Sequence, residues 1–277
     1  MQNTASLWVL MCEELEARRG EESAAEHSAA VRKFEEAARH VFQKHPTRLR
    51  DAFEIAGDIH QAAHADGDAR RCFQEALAVE TPTAAQSARL ATKLALLCEA
   101  SGDMTAAQRY YEMAVEGHDR GLDRTGLATL LNNLGALHRH GGNFAAAEKA
   151  YLRALDEAMT THGPNHPEVA LIANNLGVAY TDAKNFAKAE EAHLRALQIR
   201  ELVFGANHPD VGQSLANLGV VYHARGEHQK AERFYRGALE TLAHFHGPED
   251  PQVERITSNL NRLPHVHVRR LSKTTRL

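Results

Sequence analysis

The sequence predicts an all-α fold built from repeated pairs of helices, and three observations carry this prediction. The phrase NNLG at 132–135 returns as NNLG, ANLG and SNLN at a constant interval of 42 residues. Apolar residues in each copy recur at i, i+3, i+4 and i+7, which is the spacing of one helix face. Aromatic residues make up only 6% of the chain, whereas Ala, the best helix former, is abundant.

Composition and charge are those of a globular chain with one or two domains. The 277 residues are 43% hydrophobic and 25% charged, with a net charge of −4. No apolar run is long enough to cross a bilayer, and the N-terminus lacks the basic start of a secretory signal. The cysteines Cys12, Cys72 and Cys98 are odd in number and far apart, which favours reduced thiols and a cytoplasmic location.

Residues 1–46 are predicted to form an N-terminal helical pair, either a degenerate repeat or a cap. The pair consists of two amphipathic segments, ASLWVLMCEELEARR from Ala5 and SAAEHSAAVRKFEEAARHVFQK from Ser23. The repeat domain is then predicted to span residues 47–263. Its first two units, at 51–79 and 88–115, keep the pattern, but a slip of two or three residues leaves the register of the first unit open.

The clearest repeats are 42 residues long and begin at about residue 127. Each contains a helix, a short turn, a second helix and a loop that runs from Gly to Pro, as in GPNHP, GANHP and GPEDP. Gly just past a helix adopts the left-handed conformation, and Pro fits the first turn of the next helix. Small residues twelve apart, such as Gly135 and Ala147, are expected where paired helices nearly touch. Residues 250–262 are predicted to be a lone capping helix.

This pattern resembles the tetratricopeptide repeat. The shared features are the Gly, an aromatic residue three positions later (Tyr180, Tyr222), the Ala, and a second aromatic residue (Tyr151, Tyr235). The repeat length and the phrase NNLG…AE…RAL…FG.NHP.V resemble the kinesin light chain subgroup over residues 127–262, in particular bacterial kinesin light chain-like proteins. The resemblance implies a right-handed superhelix, an α-solenoid of about five to six helix pairs with a C-terminal capping helix. No heptad run of the motor-binding kind is present in these residues, so motor binding is not expected.

One Asn lies two residues before the Gly of each repeat and suggests a binding surface. These residues are Asn133, Asn175, Asn217 and, in the capping helix, Asn259. In this kind of fold the first helix of each pair lines the concave face, so the four amides are predicted to form a ladder along a groove. An amide can donate to and accept from the backbone of an extended peptide. The alternative is that these amides bond to neighbouring helices instead.

The same register places basic residues in the predicted groove. They are Arg89, Lys93, Arg139, Arg255 and Arg262. Set against Glu99 and Asp182, they indicate a net basic groove above a shallow apolar floor of Ala136, Val178 and Val220. Such a groove favours an acidic segment or a chain-end carboxylate as its ligand. The alternative is an ordinary solvated helix face.

Residues 264–277 are predicted to be a basic C-terminal tail. It carries four cations and no acid: Arg269, Arg270, Lys273 and Arg276. Such a tail favours contact with an acidic protein filament or, weakly, with an anionic membrane. Four charges are few for nucleic acid, which argues against a nucleic-acid partner. The alternative is a chain end without a function.

The sequence predicts no metal site, no cofactor and no enzyme activity. Eighteen histidines invite a metal interpretation, and His60 and His64 have the i, i+4 spacing of a helix face. Zinc requires three or four ligands, however, and no HExxH motif or Cys pair supplies them. The phosphate-binding pattern GxxxxGK[ST] and the nucleophile pattern GxSxG do not occur either.

These observations predict a non-enzymatic scaffold for protein–protein interaction that uses its concave groove and its basic tail. Some bacterial kinesin light chain-like proteins accompany bacterial tubulins, so the resemblance implies an acidic tubulin-like cytoskeletal filament as the candidate partner. The alternative is a peptide-binding chaperone or adaptor of a secretion or stress pathway, which would bind many unfolded segments weakly.

Overall fold

The computed structural model describes residues 24–80, 82–120, 124, 126–243, 245, 247 and 249–264, with side chains described from residue 30 onward. These residues form twelve helices and no strand. The helices are α1 (Ala24–Val41), α2 (Pro46–Ala62), α3 (Asp66–Ala78), α4 (Ala84–Ala100), α5 (Met104–Arg120), α6 (Leu127–His140), α7 (Phe144–His162), α8 (Pro167–Asp182), α9 (Phe186–Phe204), α10 (Pro209–Ala224), α11 (His228–Leu242) and α12 (Pro251–Asn261). The predicted all-α fold of repeated helix pairs is confirmed.

The chain divides into two compact units, Met1–Gly126 and Leu127–Leu277. In the described part of the first unit, α2 pairs with α3 and α4 pairs with α5, while α1 packs against α2. In the second unit the pairs are α6 with α7, α8 with α9 and α10 with α11, and α12 packs on α11. Of the predicted N-terminal helical pair, the second helix corresponds to α1, and the first lies outside the described residues. Within the described helices, none is long and apolar enough to cross a membrane.

Paired helices approach most closely where a Gly of the first helix faces a ring of the second. A Cβ atom built on Gly135, Gly177 or Gly219 would lie 2.9, 2.7 or 2.6 Å from the ring of the residue sixteen positions later. Real Cβ atoms do not approach other atoms that closely. The Ala residues twelve positions after each Gly are fully buried, namely Ala147, Ala189 and Ala231. The small residues therefore lie at the helix crossings, as the sequence predicts.

The same contact sets the register that the sequence left open. In the first unit, Gly57 faces the Phe73 ring in the same way. The equivalent pair in α4 and α5 is Ala95 and Tyr111, both of which are fully buried. The interval from Gly57 to Ala95 is 38 residues, and from Ala95 to Gly135 it is 40. The repeat therefore lengthens toward the C-terminus until it reaches 42 residues.

The loops between helix pairs have the predicted chemistry. Gly163 and Gly205 have positive φ angles of 89° and 81°, which place them in a conformation that non-Gly residues rarely adopt. Proline stands in the first turn of α8, α10 and α12. The N-cap residues His166 and His208 accept through Nδ1 from backbone N–H groups 3.2 Å away. These two histidines thus have a structural role at helix N-termini.

Candidate functional site

The second unit contains an open groove of about 440 Å³ along the first helices of its pairs. Most of its lining comes from α6, α8, α10 and α12, and Tyr151 of α7 and Tyr235 of α11 complete it. Five of the residues predicted to bind a partner line it, namely Arg139, Asn175, Asn217, Arg255 and Asn259. The predicted apolar floor, Ala136, Val178 and Val220, lines it as well. The structure therefore brings most of the predicted residues in the described part of the second unit to one surface.

The amides of the ladder are bonded from repeat to repeat. Asn175 Nδ2 donates to Asn132 Oδ1 at 2.9 Å, and Asn217 Nδ2 donates to Asn174 Oδ1 at 2.8 Å. Both acceptor residues are buried. From the sequence alone, the ladder amides could either face a ligand or bond to neighbouring helices. Asn175 and Asn217 thus each use one N–H to bond to a neighbouring helix, and each of these ties joins an Asn of one repeat to an Asn of the next.

The capping helix ends this series of amide bonds. Position 216, where Asn132 and Asn174 have their equivalent, is occupied by Ala. Among the residues that the structure describes, Asn259 therefore has no such acceptor, and its partly exposed side chain lines the groove. Asn259 is thus the ladder amide whose donors and acceptor remain available to a ligand. Asn133, by contrast, lies within 3.4 Å of the Asn132 side chain, Oδ1 to Nδ2, and does not line the groove.

The amide tie can be measured by a double-mutant cycle on Asn174→Ala and Asn217→Ala. We expect each replacement to lower the free energy of unfolding. The double variant should lose about 1 kcal/mol less than the sum of the two single losses, because both changes remove the same hydrogen bond. Urea unfolding of the four proteins measures the coupling. Asn259→Ala is the matched control and should leave the free energy of unfolding nearly unchanged. If the losses of the two single variants added up to the loss of the double variant, the hydrogen bond between Asn217 and Asn174 would make no contribution to stability.

The charged residues of the groove are two arginines. Arg139 donates to Asp182 Oδ2 at 2.8 Å, so its charge is partly balanced. Arg255 and Arg262 have no acidic partner among the described residues, and of these two only Arg255 lines the groove. No Asp or Glu lines the groove. Arg255 and Asn259, one turn apart on α12, thus form the most accessible polar edge of this surface.

Two of the predicted basic residues lie in the first unit and are ion-paired there. Arg89 forms a two-bond pair with Glu54, at 2.7 and 2.6 Å. Lys93 binds Glu54 at 2.9 Å and Asp58 at 2.6 Å. Burial raises the pKa of the Glu54 carboxyl, but the hydrogen bonds from Arg89 and Lys93 outweigh this and lower it. The four groups carry no net charge, so the predicted basic surface does not extend to Arg89 and Lys93.

Sequence reasoning missed Glu54 and Asp58 because they lie on the helix whose register was open. The predicted ladder does not include Asn132 and Asn174 either, since the third repeat has Ala at the equivalent position 216. The tail residues Arg269, Arg270, Lys273 and Arg276 lie outside the described part of the chain, which ends at Pro264.

Comparison with known proteins identifies the repeats. A tetratricopeptide repeat family model matches residues 126–201 and, overlapping them, 168–244. No curated protein matches the sequence. Residues 126–244 therefore match the tetratricopeptide repeat, as the sequence predicted.

Solved structures extend this likeness beyond the matched repeats. BtubC (BKLC) from P. vanneervenii is 28% identical in sequence, with a TM-score of 0.63 over 82% of this chain and 95% of that chain. A kinesin light chain with nearly identical TPR-like repeats from Podosopora anserina is 18% identical, with a TM-score of 0.60 over 72% of this chain and 97% of that chain. MamA is 19% identical, with a TM-score of 0.54 over 72% of this chain and 96% of that chain. The predicted likeness to kinesin light chain-like proteins is confirmed, and the last two structures show the fold alone.

Proposed function

We propose that this protein, with its tetratricopeptide repeats, is a non-enzymatic scaffold that holds an extended, acidic segment of a protein partner in the groove of its second unit. The observation that carries the proposal is the lining of that groove. It combines partly exposed amides with two arginines, and it includes no carboxylate. Amides bind a peptide backbone without reading its side chains, while an arginine without an acidic partner attracts a carboxylate.

The partner that we propose is a bacterial tubulin-like filament. Two observations support it: the 28% identity to BtubC over 95% of that chain, and the kinesin light chain phrasing of the repeats. An acidic filament surface complements Arg255 and the four cations of the tail. Complementary charge of this kind speeds association and is weakened by salt. The tail is therefore proposed as a second, electrostatic contact.

Co-sedimentation with polymerised bacterial tubulin tests the proposal. The wild type should pellet with the polymer at low salt, and Arg255→Glu should weaken binding about tenfold, since it places a like charge against an acidic ligand. Arg236→Glu is the matched control, because it makes the same charge change on α11, where Arg236 pairs with Glu232 outside the groove. A wild type that stays in the supernatant would exclude the filament. If Arg255→Glu and Arg236→Glu bound the polymer equally well, the groove would be excluded as the binding site.

The alternative, a peptide-binding chaperone or adaptor, is favoured by the amides, which recognise a backbone whatever its sequence. It predicts weak binding to many unrelated extended peptides, which an array of such peptides would show. Asn259→Ala is the informative variant, because Asn175 and Asn217 also hold the helices together. Binding confined to a few acidic peptides would contradict this alternative and support the selective scaffold.

A further inference from the structure

The first unit contains a buried cluster of polar side chains that is separate from the groove. Glu35 of α1, His60 of α2 and Cys72 of α3 meet between the three helices, and all three are buried. His60 Nε2 lies 3.2 Å from Glu35 Oε1, and Cys72 Sγ lies 3.2 Å from the same oxygen. One ligand atom from each residue lies within 4.8 Å of the other two.

This spacing suits a tetrahedral metal ion. Zinc binds His nitrogen and carboxylate oxygen at about 2.0–2.2 Å and thiolate sulfur at about 2.3 Å, so its ligand atoms lie roughly 3.3–3.6 Å from one another. The two distances of 3.2 Å are close to these tetrahedral edges. The donor set of one nitrogen, one oxygen and one sulfur also suits zinc, which accepts all three types.

Arg71 orients the carboxylate of Glu35 toward the proposed ion. Arg71 Nη1 donates to Oε2 at 2.7 Å and Nη2 donates to Oε1 at 3.1 Å, while Oε1 is the oxygen nearest to His60 and Cys72. The guanidinium also contacts Asp68 and Glu75, so nearby carboxylates balance its charge. It therefore acts as an outer partner of the ligand Glu35, as is common at metal sites.

In the metal-free protein, the thiol of Cys72 donates a hydrogen bond to Glu35 Oε1. Binding of Zn²⁺ would replace this hydrogen bond and release the proton of the thiol to solvent, because the thiolate is the ligand form.

We propose that Glu35, His60 and Cys72 form a zinc site that ties α1 to the first helix pair, with a water molecule as the fourth ligand. The sequence predicted no metal site, because the three ligands lie on three helices and form no recognisable motif. The site has no part in the proposed groove function, and either can fail without the other.

Titration of the metal-free protein with Co²⁺ tests the proposal. We expect intense visible bands of tetrahedral Co²⁺ and a near-ultraviolet thiolate-to-cobalt band, all abolished by one equivalent of Zn²⁺. Cys72→Ser should remove the near-ultraviolet band and weaken Zn²⁺ binding at least tenfold in competition with a chromophoric chelator. Cys98→Ser, which changes the buried thiol of α4, and Cys12→Ser are controls and should keep the wild-type spectrum.

The wild-type spectrum decides the matter even where a variant fails to fold. Weak bands of octahedral Co²⁺ in the wild type would overturn the proposal and leave the cluster as a hydrogen-bond network. A strong spectrum that survives in folded Cys72→Ser or His60→Gln would overturn the assignment as well, since the ion would then lie elsewhere.

Discussion

Replacing Gly219 with Ala is expected to destabilise the second unit, whereas replacing Gly237 with Ala in the same helix pair is expected to stabilise it. A Cβ on Gly219 would lie 2.6 Å from ring atoms of Tyr235, which is 1% exposed and has no room to move. A Cβ on Gly237 would lie 3.6 Å from Leu215, an ordinary contact. Both positions are helical, so Ala contributes the same gain in helix propensity of about 0.5–1 kcal/mol at each.

The difference between the two variants therefore isolates the cost of overpacking. We expect it to be about 1–3 kcal/mol, the range for an extra methyl group forced into a packed contact. Urea unfolding followed by circular dichroism measures both free energies. If the two variants were equally stable, the helices of this pair would separate freely and the Gly would have no packing role. At the equivalent position of α4 and α5, Ala95 takes the place of the Gly, and both it and Tyr111 are fully buried.

The helices and loops of residues 127–262 were predictable, because each local signal agrees with the others. Gly at the end of one helix, Pro at the start of the next and Ala at the crossing all recur at the same interval. Local chemistry decides such features, so a sequence suffices to place them. The groove followed from the same register, since the first helix of each pair contributes one equivalent position per repeat.

The partners of the polar side chains were not predictable in the same way. Asn217 pairs with Asn174, and Lys93 pairs with Asp58, across 43 and 35 residues. These pairs depend on how one repeat stacks on the next, and a shift of one position changes them all. The cluster of Glu35, His60 and Cys72 is the extreme case, because its members share neither a helix nor a motif.

Acidification is expected to destabilise the second unit through His193. This histidine occupies the position that Tyr151 and Tyr235 hold in the flanking repeats, with its ring against Gly177. It is 1% exposed, and burial together with the charge of Arg200 lowers its pKa from 6.5 to about 4. Between these two values the unfolded chain binds a proton that the folded chain does not, so stability rises with pH across that window.

The stabilising contribution of neutral His193 is therefore fully present above pH 6.5, is lost as the pH falls toward 4, and changes little below that. The pKa difference corresponds to about 3 kcal/mol. His193→Tyr should remove this part of the acid sensitivity while keeping the packing that the neighbouring repeats already accept. The measurement is the free energy of unfolding in urea at pH 7.5 and at about pH 4.5, where we expect the loss to shrink by roughly 2–3 kcal/mol in the variant.

His40→Tyr, on the exposed side of α1, is the matched control and should lose as much stability on acidification as the wild type. If the His193→Tyr variant lost as much free energy of unfolding on acidification as the wild type, the ring of His193 would be accessible to solvent, or its Nδ1 atom would have a hydrogen-bond partner. Among the described residues this atom has none. A reduced loss would instead show that one repeat of the second unit contains a neutral, buried imidazole at a helix crossing where its neighbours have tyrosine. The presence of His193 where the neighbouring repeats have tyrosine would then make one helix pair sensitive to pH, while the packing of the repeats on either side stays unchanged.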